Sequence, residues 1–344
     1  MFLHALATAV PPRTYTQTEC WEILRQSDAF RRLKAKSRWI LEKVLLGDNG
    51  IARRHFATPD LEHIFDLSPD ELNETFRAEA PKLATDALRR ALAQAGLRPD
   101  ELDALLICTC TGYLCPGLTS YVAEALGMRP DAYLQDLVGL GCGAAIPTLR
   151  SAGHFLAAQP AATVACIAVE ICSAAFYLDD DPGVLVSACL FGDGAAATVW
   201  RTSPGPSGLR CFDFDTWHVP ADRDLLRFEM RGGKLRNLLH KSVPERAAAG
   251  VARLYARRSP RAVHRVVAHP GGRDVLAALE TALPDHALET SARVLRAGGN
   301  MSSPSVLFVL AENLRAGPPP AGADLWLVSF GAGFSAHSCR IGTA

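Results

Sequence analysis

The sequence predicts an α/β fold built from two similar halves, and three observations carry that prediction. Short, continuous apolar runs, the mark of strands buried on both faces, alternate with stretches of helical spacing. Pro, Gly and Ser crowd together at 201–208 (RTSPGPSG) and divide the chain there. The punctuation on the two sides then matches: a helix, a strand, a polar strand end and a Gly-rich turn at a helix start. Cys142 follows Cys110 by 32 residues and Asn300 follows His269 by 31, as an internal duplication would leave them.

The elements follow in order. Residues 1–7 read as a first strand; they lack the charged start of a signal peptide and run into Pro11-Pro12. Residues 15–46 read as helical and amphipathic. Their basic residues, Arg31, Arg32, Lys34, Lys36, Arg38 and Lys43, form either a solvated face or a site for an anionic cofactor tail. Residues 80–96 have helical spacing, with Gly96 as C-cap and Pro99 as a stop. The run 102–110 (LDALLICTC) is a buried strand. The Gly-rich turn LVGLGCGAA around Cys142 opens a helix to about residue 158. A second buried strand covers 163–171 (TVACIAVEI), then a helix and loop, then a strand at 195–200. In the second half a helix at 244–258 leads through Pro260 into a strand at 262–269. A helix at 274–283 follows. AGGN at 297–300 then opens an apolar helix at 302–314. A Pro-Gly loop at 316–322, a strand at 324–330 and a final strand close the chain.

Length and composition bound the function. The 344 residues suit about two domains, placed at 1–204 and 205–344. Hydrophobic residues at 49% and charged residues at 21% exclude a disordered or fibrous chain. Lys plus Arg equals Asp plus Glu, 36 each, so no global field draws nucleic acid or an anionic membrane. No apolar run reaches the ~18 residues of a membrane span. The ten cysteines sit mostly in apolar stretches, as Cys166 and Cys189 do. They point to a reducing cytoplasm rather than a disulfide framework.

Three residues stand out as candidates for chemistry. Cys142 lies between glycines at a helix start, where free N–H groups and the helix dipole favour a thiolate. His269 ends a buried strand and is fixed by the Pro-Gly-Gly turn that follows. Asn300 precedes an apolar helix and serves either as an N-cap or as an amide donor to a developing oxyanion. Cys108, Cys110 and Cys115 lack the second cluster and nearby His of a metal site. No P-loop or dinucleotide-type GxGxxG is present.

Three segments then carry a resemblance: DLVGLGCGAA (136–145), VVAHPGG (266–272) and GNMSSPSVLFVL (299–310). They resemble the Cys, His and Asn motifs of type III polyketide synthases, the chalcone- and stilbene-synthase family, in its bacterial branch. LFGDGAAA (190–197) and SFGAGFSAHSCRI (329–341) match further blocks in the family's order. The resemblance implies a thiolase-like fold, two duplicated halves layered αβαβα, and a homodimer. It implies an acyltransferase that loads an acyl-CoA starter on Cys142 and extends it with malonyl-CoA. His269 and Asn300 would hold the malonyl thioester during decarboxylation. A cyclised polyketide would leave, with no metal, no cofactor and no acyl carrier protein.

By the same resemblance Phe191 is the gatekeeper between CoA tunnel and cavity. Cys110, Cys115, Cys172, Ala175, Ser187 and Ser302 line the cavity, Cys115 reaching across the dimer. Lys36, Arg38 and Lys43 lie near positions that contact CoA, with Trp39 where the family has Arg. Asn237 falls near a second gatekeeper Phe. The small lining residues favour a fatty acyl starter giving an alkylpyrone or alkylresorcinol. The alternative is a ketoacyl-carrier-protein synthase III, which shares fold and triad but typically carries Gln-Ala-Asn after its His. This chain has Pro270-Gly271-Gly272 there.

Overall fold

In the computed structural model, which describes residues 1–59 and 61–343, strands and helices alternate through both halves. The chain opens with β1 (Phe2–Ala9), β2 (Thr14–Thr16), α1 (Gln17–Gln26), α2 (Asp28–Arg32), α3 (Ala35–Leu46) and β3 (Arg53–His55). It continues through α4 (Pro69–Ala95), β4 (Ala104–Cys108), α5 (Leu118–Leu126), β5 (Tyr133–Leu137), α6 (Ala145–Ala158), β6 (Val164–Glu170), α7 (Pro182–Leu190) and β7 (Gly194–Arg201). The second half holds β8 (Leu209–His218), β9 (Leu226–Arg231), β10 (Lys234–Leu239), α8 (Val243–Arg257), β11 (Ala262–Ala268), α9 (Arg273–Ala282), α10 (Glu289–Gly298), α11 (Ser305–Arg315), β12 (Ala323–Gly331) and β13 (Ser335–Thr343).

Nine strands form one sheet in the order β11-β12-β13-β8-β1-β7-β6-β4-β5. The two sides of the β8–β1 junction repeat each other. β4 and β6 run parallel, β6 and β7 antiparallel, β7 and β1 antiparallel. β11 and β12 run parallel, β12 and β13 antiparallel, β13 and β8 antiparallel. The Cys142 turn precedes α6 and the Asn300 turn precedes α11, at equivalent places in the two patterns. The Pro-Gly segment at 201–208 falls between β7 and β8, and both of those strands pair with β1.

Strand alternation builds the layers. One face of the first half's strands, with Leu105, Ile107, Ile167 and Val199, packs under α4 through Phe76, Leu88 and Leu92. The opposite face, with Leu106, Cys166 and Trp200, meets α6 and α11 through Leu149, Val306 and Leu310. Those two helices also receive Leu325, Leu327, Cys339 and Ile341 from the second half's strands. The outer face of those strands, with Trp326, Val328 and Phe330, packs under α8 and α9. The result is the five-layer αβαβα order of a thiolase-like fold. Each fully buried Leu or Ile in these layers contributes ~1.5–3 kcal/mol.

Two expected elements differ from the sequence reading. The single helix expected at 15–46 is three helices. Ser27 ends α1, then caps α2 by accepting from Phe30 N–H, and Asp66 accepts from the N–H groups of Asp28 and Ala29. The helix expected at 80–96 begins at Pro69, where Ser68 and Glu71 form a capping box. It runs through Pro81 and ends at Gly96 with φ +65°, as expected. Among the described residues no helix is long and apolar enough to cross a membrane.

The halves meet closely behind Cys142. A Cβ on Gly331, at the end of β12, would lie 2.5 Å from Gly143 N, 2.6 Å from Leu140 O and 3.0 Å from Cys142 N. All three neighbours are backbone and cannot swing aside. Gly331→Ala is therefore expected to lower stability by ~1–3 kcal/mol, the range for overpacking a filled interior. It should also displace the Cys142 turn. Thermal unfolding and product formation measured together check this; an unchanged melting temperature would show that the turn has slack.

Candidate active site

Cys142 sits in the middle of a single 3-10 turn, Gly141–Gly143, that leads into α6. Gly141 has φ +55°, and a side chain there would press on Ala332 at 3.1 Å, so the turn requires glycine. Cys142 opens on a cavity that it lines with Cys110, Cys172, Ala175, Ser187, Phe191 and Ser302. Those are all the expected pocket residues except Cys115, which is exposed on the loop after β4. Phe176, Tyr177 and Phe228 also line the cavity, and Asn237 reaches it from β10. The free volume is ≈ 40 Å³.

Hydrogen bonds tie the candidates together. Ser302 Oγ donates to Cys142 Sγ at 3.3 Å. Ser302 has φ +59°, rare for a residue with a side chain, and its N–H donates to Asn300 Oδ1 at 2.8 Å. Asn300 Nδ2 donates to Gly271 O at 3.1 Å, and Gly271 N–H donates to His269 O at 3.0 Å. Asn300 is thus no N-cap: α11 starts five residues later, behind Pro304. One hydrogen of its amide nitrogen is committed to Gly271 and the second is left over. His269 is 1% exposed and lies edge-on to Phe330, with ring centroids 5.1 Å apart. Its Nδ1 is buried without a hydrogen-bond partner. An orphaned buried nitrogen is rare in a purely structural histidine. Among the described residues no hydrogen bond joins Cys142 to His269 directly.

Burial dominates the electrostatics. It pushes the Cys142 thiol up to about 12, against the lowering effect of the Ser302 hydrogen bond. It pulls His269 down to about 3. The lowering expected from a helix N-terminus does not prevail in this dry setting; each group taken alone is neutral at pH 7.

Two supporting residues escaped the sequence reading. Glu170 is fully buried at the end of β6. Its Oε2 accepts from Cys110 N–H at 2.9 Å, Thr111 N–H at 3.1 Å, Thr109 Oγ1 at 3.1 Å and Thr111 Oγ1 at 2.9 Å. Its Oε1 accepts from Ser303 Oγ at 2.5 Å and Cys110 Sγ at 3.3 Å. Burial raises its pKa, and these bonds offset that only in part. A lone Glu closing the apolar run TVACIAVEI was the available signal. Arg54, also buried, donates from Nη1 to Phe191 O at 2.9 Å and Ala188 O at 2.8 Å, and from Nε to Gln17 Oε1 at 2.9 Å. It fixes the end of α7, where Phe191 bridges to Asn300.

Lys36, Arg38 and Lys43 do not line the cavity; they are exposed on α3. Trp39 between them is 56% exposed, with Lys43 Nζ 4.9 Å from its ring centre. The start of α3 is pinned to the loop after Tyr177: Lys34 N–H and Ser37 Oγ donate to Asp180 Oδ1 at 2.9 and 2.6 Å. Among the described residues no group of three or more His, Cys, Asp or Glu is placed to hold a metal.

Comparison with known proteins agrees along the whole chain. The family described as FAE1/Type III polyketide synthase-like protein matches residues 9–206. The C-terminal domain of chalcone and stilbene synthases matches residues 257–336. The chain is 32% identical to 1,3,6,8-tetrahydroxynaphthalene synthase of Streptomyces peucetius subsp. caesius, over 97% of this chain and 90% of that one. It is 28% identical to 3,5-dihydroxyphenylacetyl-CoA synthase of Streptomyces toyocaensis, over 98% and 88%. The crystal structure of tetrahydroxynaphthalene synthase from Streptomyces coelicolor superposes with a TM-score of 0.88 at 25% identity, covering all of both chains.

The Glu170 network yields a stability test. Glu170→Leu strands two backbone N–H groups and the hydroxyls around them, each costing ~1–3 kcal/mol when buried unpaired. We expect a loss of at least ~3 kcal/mol in urea unfolding. Glu170→Gln keeps one oxygen for the N–H pair and should cost clearly less. Equal losses for the two variants would mean that the carboxylate oxygens are not what holds this corner.

Proposed function

Because the chain belongs to the type III polyketide synthase family, we propose that Cys142, His269 and Asn300 carry out its acyl transfer and condensation chemistry. The observation that supports this most is the hydrogen-bonded run from Cys142 through Ser302 and Asn300 to the His269 turn, at the edge of the cavity. The alternative of a ketoacyl-carrier-protein synthase III is disfavoured by the family match and by Pro-Gly-Gly after His269.

The steps follow from the residues. Cys142 Sγ attacks the thioester carbonyl of an acyl-CoA and CoA leaves as its thiol, with the acyl group on sulfur. The Cys142 proton passes to His269 and from there to the departing CoA sulfur. Burial penalises a lone thiolate or a lone imidazolium, but transfer within the pair leaves the site net neutral. Malonyl-CoA then binds with its thioester oxygen toward His269 and the second Asn300 N–H. Loss of CO₂ leaves an enolate whose oxygen charge those donors stabilise; one such donor is worth ~10²–10³ in rate. The enolate carbon attacks the Cys142 thioester, a C–C bond forms, and the Cys142 thiolate leaves. Lys36, Arg38 and Lys43 on α3 hold the CoA phosphates. Phe191, fixed by Arg54, narrows the passage to the cavity.

Enzymes of this family act on CoA thioesters without a carrier protein, and we propose a small, malonyl-derived starter for this one. The products named for its relatives are polyhydroxylated aromatics without an alkyl tail. The lining residues expected to make room for a fatty chain are small, yet Phe176, Tyr177 and Phe228 occupy the space. A homodimer and a reducing cytoplasm complete the proposal. β5 is an edge strand with Tyr133, Leu134 and Val138 exposed beside it, and such edges are normally paired or covered. The ten cysteines are free thiols.

Three experiments test this. Purified protein given malonyl-CoA alone should release CO₂ and a polyhydroxylated aromatic identifiable by mass spectrometry. Cys142→Ala should abolish the product. A need for carrier protein, or a kcat/KM that climbs from acetyl- to decanoyl-CoA, would overturn the starter assignment. His269→Ala should slow alkylation of Cys142 by iodoacetamide at pH 7 at least ~30-fold. Without its partner the thiol is raised by burial, so its reactivity should then climb with pH past 9. An alkylation rate equal to wild type would remove His269 from thiol activation. Leu134→Lys combined with Val138→Glu should give a monomer by sedimentation, where the wild type sediments as a dimer.

A further inference from the structure

The lid of the cavity is the β9–β10 hairpin, and its cross-strand pairs divide by face. Arg236 pairs with Glu229 on one face. Arg236 Nη1 donates to Glu229 Oε1 at 2.9 Å, Nε donates to Asp179 Oδ2 at 2.7 Å, and Asp181 Oδ2 lies 3.6 Å from Nη2. This clamp ties the hairpin to the loop after Tyr177. The next pair, Asn237 and Phe228, falls on the opposite face, and both residues line the cavity with Cys142.

Asn237 is 8% exposed, and its Oδ1 is buried without a hydrogen-bond donor. Three hydroxyls that line the same cavity are already occupied. Thr111 Oγ1 donates to Glu170, Ser187 Oγ to Gly183 O, and Ser302 Oγ to Cys142. Arg227 is ion-paired with Glu229 at 2.8 Å and Asp224 at 3.0 Å, although its buried Nε makes no hydrogen bond. A buried amide oxygen with nothing to accept from is costly, and one held on a clamped strand cannot turn away to solvent.

We propose that Asn237 is a specificity-determining residue that accepts a hydrogen bond from an enol or phenol hydroxyl of the chain growing on Cys142. A poly-β-keto chain carries an oxygen on every second carbon and readily enolises, so it supplies that donor. Rotated by half a turn, the same amide would donate to a ketone oxygen. Neither edge can bond to a CH₂ group. An alkyl chain at this point leaves the amide unpaired and a polyketide chain does not. Asn237 therefore selects oxygen-bearing intermediates over alkyl-primed ones. The proposal rests on the polyketide synthase reading and adds to it what the cavity prefers.

The test compares malonyl-CoA alone with decanoyl-CoA plus malonyl-CoA, in wild type, Asn237→Leu and Asn237→Thr. Leu matches Asn in size and removes the polar edge. We expect the ratio of kcat/KM for malonyl-only over decanoyl-primed turnover to fall about tenfold or more in Asn237→Leu. Asn237→Thr, which restores an oxygen, should recover part of it. A purely structural role would lower both reactions together and leave the ratio unchanged, which overturns the proposal. If Asn237→Leu does not fold, the Thr variant decides alone: its ratio should lie nearer wild type than that of Asn237→Ala. Wild-type protein inert toward malonyl-CoA would instead refute the underlying reading.

Discussion

The site depends on one approach, that of the second half's backbone to the turn carrying Cys142. Gly331 leaves no room for a side chain against Gly143 and Leu140. Ser329 Oγ donates to Gly143 O at 3.0 Å, and Ser302 Oγ reaches Cys142 Sγ. Every one of these contacts crosses from one half to the other. Neither half alone encloses the thiol, so the duplicated fold is a condition of the proposed chemistry. The central layer must therefore bring α6 and α11 together at a fixed height between the sheets. That is why it is filled by Leu149, Val306, Leu310 and small Ala residues packed to interior density.

The same closeness sets the electrostatic problem. Excluding water makes a thiolate at Cys142 costly and an imidazolium at His269 equally so. In the proposed mechanism the dry site favours processes that keep the pair net neutral, and it strengthens every hydrogen bond that forms only with the enolate present. The buried Glu170 follows the opposite logic. It is held by six donors, and these bonds stiffen the loop that carries Cys110 into the cavity.

Much of this was legible in the sequence because the fold is punctuated by glycine. The turns at Gly141 and Gly299 need positive φ, and a Gly-Cys-Gly or Gly-Gly-Asn string shortly before a helix is hard to read otherwise. Buried strands such as β4 and β6 announced themselves as apolar runs. What stayed hidden depends on long-range partners. The breaks between α1, α2 and α3 are sealed by Asp66 and Asp180, which no local pattern predicts. The first turns of α4 are polar and its interior holds Pro81, so helical spacing is masked until the capping box at Ser68 is recognised. The β9–β10 hairpin has no clean alternation, because its order comes from the ion pairs of Arg236 rather than from an apolar face.

On the proposed roles, that contrast separates reactivity from selectivity. The proposed reacting groups sit on backbone geometry that only a few residue types permit: glycines with positive φ, a Ser at φ +59°, an Asn closed on its own turn. Changing any of them moves main chain. The cavity's far wall is instead a two-stranded flap tied to the loop after Tyr177 by the charged pairs of the buried Arg236. Asn237 can be exchanged without disturbing Arg236, because consecutive side chains on a strand point to opposite sides. A wall built this way can accept new side chains while the thiol, the imidazole and the amide stay where they are. The preference for one starter over another is therefore free to change faster than the reaction it feeds.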